Sequence, residues 1–338
     1  MPNGLEDIVY SGLNKIRNVN LQEYGLKPSY HPDLVSLNEL KKYIPKSSSR
    51  WLMLPGNKNH IYFNIGEINL NDFDYIIFGR AEIETISLIS ESIKKVPRKI
   101  IFLDGEDDPL VRLIFKDIRA YFKREKFGNS HLFFRGLNLN NTLHAFELFR
   151  EGIRTFPSLF PVPQFSLARR KIHSLNLSVI ENQYTDHNSL DIDVSLVAKV
   201  TNRLRLFYSN ALRNIAKRNG LNIYINTTGL NFDDYQNIIL RSKLVISLPG
   251  AGYDSFRYWE IPYYERCLLS YRLPIIIKNN FVDYESALFF SSLKEFEEKI
   301  LWGLKNDNYE NLRKSSKLLF NKFHTDRNRA SEVLKDIS

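Results

Sequence analysis

Strand-like and helix-like segments alternate along almost the whole chain, and this alternation restricts the fold more than any other feature. Short apolar runs rich in Ile, Val, Phe and Tyr predict strands, and apolar residues at helical spacing predict the helices between them. The predicted strands form two series, Trp51–Leu54, Ile61–Ile65, Tyr75–Phe78 and Lys99–Leu103, then Val194–Val200, Asn222–Asn226, Leu244–Leu248, Leu268–Tyr271 and Pro274–Ile277. The predicted helices among them are Ile83–Lys94, Arg203–Lys217 and Asp233–Arg241. Such alternation favours parallel sheets covered by helices, so we predict an α/β protein of two Rossmann-like domains.

The boundary between the two domains is predicted at the polar stretch Glu181–Ser189. This stretch follows the proline-rich segment Phe156–Pro163, in which a helix cannot continue. The N-terminal domain then spans residues 1–185 and begins on a helix at Leu5–Ile16, and the C-terminal domain spans residues 186–325. The tail from Leu293 onward predicts three helices, the last of them in residues 326–338.

The composition limits the classes of protein to which the chain can belong. Its 338 residues are 43% hydrophobic, enough for two buried cores, and the single cysteine, Cys267, excludes an internal disulfide and a cysteine-based zinc site. The sequence shows neither a membrane-spanning stretch nor a signal peptide, so a cytoplasmic protein is expected. The net charge of +9 favours anionic partners, such as phosphorylated sugars, an acidic membrane surface or nucleic acid. Because the cations are dispersed along the chain, the charge gives only weak support for a nucleic-acid partner.

The segment from Leu244 to Arg257 predicts a ligand site at the end of a strand. A hydrophobic strand runs into Pro249-Gly250-Ala251-Gly252 and then into a helix with Asp254 or Ser255 as its N-cap. Glycines allow a close approach of the main chain, and a helix N-terminus favours phosphate. The alternative is a tight turn that happens to contain two glycines.

Arg257 and Glu260 follow in the predicted helix at a spacing of three, which places both side chains on the same face. A guanidinium group suits a diphosphate, and a carboxylate suits a ribose diol. The alternative is an exposed helical ion pair of little energetic consequence.

Two further strand ends contain charged residues. Asp104, Glu106, Asp107 and Asp108 follow one strand, where they predict a general base, helix capping or a metal site without histidine. After the strand that begins near Asp193, Thr201 or Asn202 caps a predicted helix, and Arg203 and Arg205 either bind phosphate or lie on a solvated face. The segment Tyr121–Glu125 predicts an edge strand. The pairs Asp72/Asp74 and Asp191/Asp193 match the D-x-D pattern of metal-dependent transferases but precede strands, which favours ordinary loops.

Taken together, these segments resemble the CgeB/exostosin-like glycosyltransferases over nearly the whole chain. The matching blocks are Asp7-x-x-Tyr10-x-Gly12-Leu13, Asp104–Asp108, Tyr121–Glu125, Asp193-Val-Ser, Ser247–Glu260 and the His324–Ala330 region. The block Gly250–Glu260 is specific, whereas the others are individually weak.

The resemblance implies a GT-B fold, in which two Rossmann-like domains face each other across the active site. It also implies that the C-terminal domain binds a nucleotide-sugar and that the last helix crosses back to the N-terminal domain. Glu260 matches the glutamate that holds the donor ribose in many such enzymes. Two departures stand out: Glu265 replaces the usual glycine, and Gly252 replaces the first glutamate of the retaining enzymes' pair, which leaves the stereochemistry open.

From these residues we predict transfer of a sugar from a nucleotide-sugar to a hydroxyl acceptor, without metal or cofactor. The acceptor is a surface glycan, a lipid-linked glycan, a protein or a modified base in phage DNA. The predicted donor site comprises Gly250, Ala251, Gly252, Tyr253, Asp254, Ser255, Arg257, Glu260, Arg203 and Thr201. The predicted catalytic bases are Asp104, Asp107 and Asp7. The rival interpretations are an NAD-dependent oxidoreductase and a non-catalytic protein that binds nucleotide-sugars.

Overall fold

The computed structural model describes residues 4–24, 61–62, 68–79, 86–107, 110–112, 117–127, 161–163, 172–180 and 189–338. The predicted strand Trp51–Leu54 and nearly all of the predicted domain boundary lie outside these residues. Within the described part of the chain, the main elements are two parallel sheets with helices packed on them. The predicted α/β class is thereby confirmed.

The N-terminal sheet has four parallel strands in the order β3-β4-β6-β8. Their bounds are β3 Ile76–Phe78, β4 Ile100–Asp104, β6 Ala120–Lys123 and β8 Ile172–Ser174. The short strands β1 Glu23–Tyr24 and β2 Ile61–Tyr62 pair in parallel, and β5 Leu110–Arg112 and β7 Pro161–Pro163 pair antiparallel. The helices of this half are α1 Gly4–Asn14 and α2 Ile86–Lys95.

The C-terminal sheet has five parallel strands in the order β10-β9-β11-β12-β13. Their bounds are β9 Ile192–Val197, β10 Ile223–Asn226, β11 Ser242–Ser247, β12 Cys267–Tyr271 and β13 Leu288–Phe290. The helices are α3 Arg203–Asn219, α4 Phe232–Leu240, α5 Phe256–Tyr263, α6 Leu293–Gly303, α7 Asn306–Phe323 and α8 Asp326–Ile337. The three helices predicted after Leu293 are α6, α7 and α8.

Two strand predictions are wrong. Pro274–Ile277 is not a strand of the C-terminal sheet, because this segment bonds to the other domain: Ile276 N donates to Lys126 O (2.7 Å) and Ser174 Oγ donates to Ile276 O (2.6 Å). The fifth strand of the sheet is β13. The predicted edge strand in Tyr121–Glu125 is the interior strand β6, which is buried along its whole length.

The interior position of β6 depends on a neutralised charge. Lys123 is fully buried and donates to Asp104 Oδ1 at 2.9 Å on the neighbouring strand. The Tyr121 hydroxyl donates to the other carboxylate oxygen of Asp104. Pairing of this kind is required before a lysine can lie inside a sheet.

The last helix, α8, packs against α1 at the beginning of the chain. Asp326, fully buried at its first turn, accepts from Lys15 Nζ (2.7 and 2.9 Å) and from Ser11 Oγ. Gly12 permits this contact, since a Cβ there would lie 2.1 Å from Asp326 O. Helix α8 therefore joins the C-terminal half of the chain to the first helix of the N-terminal half.

Candidate functional site

A cavity of about 510 Å³ lies between the two domains. It opens at the carboxyl ends of strands from both parallel sheets, where ligands bind in open α/β proteins. Its volume falls within the range of about 300–1,000 Å³ that is typical of ligand pockets. The N-terminal half contributes Gly4, Asp7, Ile8, Asp107, Arg124 and Ile180. The C-terminal half contributes Val197, Lys199, Arg205, Gly229, Leu230, Phe232, Tyr235, Gly250, Ala251, Gly252, Ser255, Phe256, Arg257 and Glu260.

The loop after β11 is held in place by side chains from the start of α3. Arg205 donates from Nε to Pro249 O (2.9 Å) and from Nη2 to Leu248 O (3.2 Å), and Asn202 Nδ2 donates to Pro249 O and Gly250 O (3.1 Å each). A Cβ on Gly250 would lie 2.6 Å from Arg205 Nη2, so glycine is needed for this approach. The loop is thus fixed before any ligand binds, and its glycines remain at the cavity wall.

Arg257, in the first turn of α5, faces the cavity with unsatisfied donors. Its Nε and Nη1 are buried, and neither has a hydrogen-bond partner among the described residues. Burial and the nearby charge of Arg257 lower the pKa of Arg205 to about 10, which shows that the two guanidinium groups share one region. Two neighbouring cations, one with buried unpaired N–H groups, are suited to an anionic ligand, because such donors are costly to leave unpaired.

Glu260 lies one turn further along α5, and only 2% of its surface is exposed. Burial raises the pKa of its carboxyl group to about 7, although the hydrogen bond from the Tyr235 hydroxyl and the charge of Arg257 both lower it. No ion pair joins Glu260 to Arg257 in the part of the chain that the structure describes. The predicted alternative of an exposed helical ion pair does not describe these residues. The carboxyl group is a buried acceptor at the cavity wall, suited to hydroxyl donors.

Asp7 and Asp107 line the cavity from the N-terminal half. Asp7 is buried in the first turn of α1, whereas Asp107 is half-exposed and forms an ion pair with Arg124. Asp104, the third predicted base, does not line the cavity, because its carboxylate is enclosed by Lys123 and Tyr121. The geometry therefore leaves Asp7 and Asp107 as carboxylates that face the cavity from this side.

Glu125 is a buried acid beside the cavity, and no role was predicted for it from the sequence. Its Oε1 accepts from the main-chain N–H groups of Tyr253 and Asp254 (3.1 Å for Asp254), and a Cβ on Gly252 would lie 2.4 Å from it. Burial raises its pKa to about 7; the Arg124 guanidinium opposes this rise and Asp107 adds to it. The sequence signal was a charged residue two positions after a buried strand, where the chain leaves the carboxyl edge of the parallel sheet.

Asp254 connects the domains and does not face the cavity. It is fully buried, its Oδ2 accepts from Leu177 N at 2.7 Å, and its Oδ1 accepts from Trp259 Nε1. Its main-chain oxygen accepts from Arg124. Of the two predicted N-caps of α5, Ser255 occupies the position, without a side-chain capping bond, and Asp254 does not.

Three other predicted donor residues lie outside the cavity wall. Thr201 and Arg203 are exposed, and Arg205, two residues after Arg203, lines the cavity instead. Tyr253 packs its ring against Phe127, with the ring centroids 5.6 Å apart. In the loop after β11 and the start of α5, seven of the eight residues from 250 to 257 were predicted to bind the donor. Five of those seven line the cavity: Gly250, Ala251, Gly252, Ser255 and Arg257.

Neither D-x-D pair approaches the cavity. Asp191 and Asp193 lie at the amino end of β9, where they pair with Arg241 and Lys243. Within the described residues, no cluster of three His, Cys, Asp or Glu side chains is arranged to hold a metal ion. A search of the same residues for a helix long and apolar enough to cross a membrane finds none.

No protein-family model matches the sequence, and no curated protein matches it. Among solved structures, a glycosyltransferase from Rickettsia africae superposes with a TM-score of 0.51 at 10% identity, covering 99% of this chain and 93% of that one. Anabaena HepE in complex with UDP-glucose gives a TM-score of 0.49 at 7% identity, covering 99% and 96%. TarM gives 0.44 at 11% identity; the match covers 75% of this chain and 58% of TarM, so this chain spans less than two thirds of that protein. At these identities the likeness concerns the fold, and the predicted GT-B fold is confirmed.

Proposed function

We propose that this chain is a glycosyltransferase, related to the CgeB/exostosin-like enzymes, that transfers a sugar from a nucleotide-sugar to a hydroxyl acceptor. The observation that supports this most directly is Arg257, whose buried unpaired donors face the interdomain cavity beside the glycine loop. A diphosphate supplies the acceptors that these donors lack.

The donor nucleotide-sugar fits the C-terminal wall of the cavity. Its diphosphate would bind at the Gly250–Gly252 loop, against Arg257 and within the field of Arg205 and Lys199. Its ribose hydroxyls would donate to Glu260, whose carboxyl group is buried at the same wall. Fixed cations of this kind stabilise the departing diphosphate electrostatically, so the proposed reaction uses no metal ion.

The acceptor enters from the N-terminal wall. A carboxylate there, Asp7 or Asp107, accepts the proton of the acceptor hydroxyl. The acceptor oxygen then bonds to the anomeric carbon while the bond from that carbon to the diphosphate breaks. The products are the glycosylated acceptor and a nucleoside diphosphate that takes both electrons of the broken bond.

The proposal can be tested by incubating the protein with each nucleotide-sugar of a panel and with a cell extract that supplies acceptors. The quantity measured is the nucleoside diphosphate released. We expect release with one donor class, strong loss in Glu260→Ala, and a rate close to wild type in Thr201→Ala, which alters an exposed residue outside the cavity. Absence of turnover with every donor, together with binding of NAD, would favour an oxidoreductase. Binding of a nucleotide-sugar without any turnover would favour a non-catalytic protein.

A further inference from the structure

The outer face of α3 is strongly basic. The helix contains no acidic residue and five cations, Arg203, Arg205, Arg213, Lys217 and Arg218. Arg205 is turned inward to the loop, and Arg218 donates to Glu297 near the end of the helix. Three of them, Arg203, Arg213 and Lys217, are exposed, as is Lys199 just before the helix, and none of these four forms an ion pair with a described residue.

Large apolar side chains lie among these cations. Leu206 is 50% exposed and Phe207 is 52% exposed, in the first two turns of α3, and Val200 is 39% exposed just before the helix. The opposite side of the helix already packs Tyr208 and Leu212 into the C-terminal core. Isolated exposed apolar residues are ordinary, but adjacent ones within a basic face indicate an interaction surface.

The spacing places these residues on one stripe of the helix. Positions 203, 206, 210, 213 and 217 follow one another at intervals of three or four residues, and 207 and 214 lie beside this row, so these side chains share one side of the helix. The stripe begins at the edge of the cavity, since Lys199 and Arg205 line that cavity. We call the exposed residues Lys199, Val200, Arg203, Leu206, Phe207, Arg213 and Lys217 the basic–apolar face.

We infer that the basic–apolar face docks on an anionic lipid membrane. Lipid headgroups supply the negative charge that Lys199, Arg203, Arg213 and Lys217 lack, and the boundary with the acyl chains accommodates Leu206 and Phe207. Because the face adjoins the cavity, docking brings an acceptor anchored in the same membrane to the N-terminal wall. This last statement, a lipid-linked acceptor, rests on the proposed function; membrane docking does not.

The combination of charge with apolar groups favours lipid over the other anionic partners. The phosphate backbone of a nucleic acid would pair with the cations. It would not provide an apolar environment for the exposed side chains of Leu206 and Phe207. A second copy of this chain carries the same positive face, so two such faces repel one another. Lipid is the partner that satisfies both kinds of group.

Sedimentation of the full chain with vesicles tests this inference. We expect the protein to pellet with vesicles of phosphatidylcholine and phosphatidylglycerol at low salt, much less at high salt, and not with phosphatidylcholine alone. Arg213→Glu/Lys217→Glu should weaken binding by more than about fivefold for each position changed. Leu206→Ser/Phe207→Ser should weaken it without changing its dependence on salt.

Leu318→Ser is the matched control, because Leu318 on α7 is 70% exposed but lies on another helix. This variant should bind vesicles as the wild type does. Nucleotide affinity, measured by calorimetry, should be unchanged in all these variants, which separates a failure of docking from a failure of the proposed function or of folding. The inference is overturned if the wild type ignores anionic vesicles, if it binds DNA instead, or if the Leu206/Phe207 and Arg213/Lys217 variants bind as tightly as the control.

Discussion

The buried carboxyl group of Glu260 makes stability depend on pH in a way that can be calculated. Burial raises its pKa from 4.5 to about 7 in the folded protein. A rise of this size corresponds to about 3 kcal/mol, since one pKa unit is worth about 1.4 kcal/mol. That is a large fraction of the roughly 5–15 kcal/mol by which a domain is stable.

The sign follows from the direction of the rise. Below pH 4.5 the group is protonated in the folded and the unfolded chain, and its burial has no ionisation cost. Between pH 4.5 and 7 the unfolded chain has released the proton and the folded chain has kept it, so the free energy of unfolding falls as the pH rises. Above pH 7 both forms are ionised, and the whole loss of about 3 kcal/mol has occurred.

Glu260→Gln removes this ionisation while keeping an oxygen that accepts from Tyr235. We expect the difference in unfolding free energy between variant and wild type to shift in favour of the variant by about 3 kcal/mol from about pH 4 to about pH 8. Urea unfolding followed by fluorescence measures this difference, and the adjacent, fully buried Trp259 is a direct reporter.

The control is Glu91→Gln, which alters an exposed carboxyl group paired with Lys95 on α2. An exposed helical pair contributes little to stability, so this variant should follow the wild type at every pH. An equal free-energy difference between Glu260→Gln and wild type at both pH values would contradict a buried ionisation at Glu260. A change of pH dependence in Glu91→Gln as large as that in Glu260→Gln would contradict it as well.

Three further substitutions test contacts beside the cavity and between the two halves of the chain. Gly252→Ala places a methyl group 2.4 Å from Glu125 Oε1, so the loop must shift; we expect a loss of about 1–3 kcal/mol in urea unfolding and weaker nucleotide binding by calorimetry. Gly12→Ala places a methyl group 2.1 Å from Asp326 O, so α8 must move away from α1, and the midpoint of thermal unfolding should fall. Asp254→Asn removes a charge from a fully buried network and should cost about 3 kcal/mol in urea unfolding.

Gly303→Ala is the control for the loop variant. Its methyl group would lie 2.7 Å from Leu288 Cδ1 in the core of the C-terminal domain, away from the cavity. It should lower stability and leave nucleotide affinity unchanged. Equal loss of affinity in the Gly303 and Gly252 variants would contradict the role given to the loop. Unaltered stability in Gly12→Ala or Asp254→Asn would contradict the contacts described for those residues.

The C-terminal sheet could be predicted closely because its strands, apart from the partly buried edge strand β10, are largely buried, and because clear helical patterns separate several of them. Leu244–Leu248 was predicted where the structure has β11, and Arg203–Lys217 where it has α3. Strand β13 was missed because its three residues are too few to show a pattern. Pro274–Ile277 has the composition of a strand, and only its bonds to the other domain show that it is used differently.

The candidate site could be predicted where it depends on neighbours in sequence. Gly250, Arg257 and Glu260 belong to one strand–loop–helix unit, and their spacing fixes their common direction. The choice between Arg203 and Arg205 depends on the rotation of α3: Arg205 shares its side with buried Ser209 and Leu212 and so turns inward.

Contacts between distant segments could not be predicted in this way. Glu125 reaches the loop at Gly252 only because the two domains approach each other. Asp254 is bonded to Leu177, which is distant in the sequence, as well as to the nearby Trp259. No local spacing contains this information. The roles proposed for Arg257, Glu260, Asp7 and Asp107 in sugar transfer remain predictions.

The affinity of the protein for nucleoside diphosphates tests the central claim most directly. We predict that calorimetry shows one nucleoside diphosphate binding to the wild type, and that Arg257→Ala weakens this binding by about 10- to 100-fold, from about 1.5–3 kcal/mol for hydrogen bonds to a charged group. Arg203→Ala, which removes an exposed arginine two residues from Arg205, should bind as the wild type does. Failure of the wild type to bind any nucleoside diphosphate, or equal affinity in the Arg257 and Arg203 variants, would contradict the account.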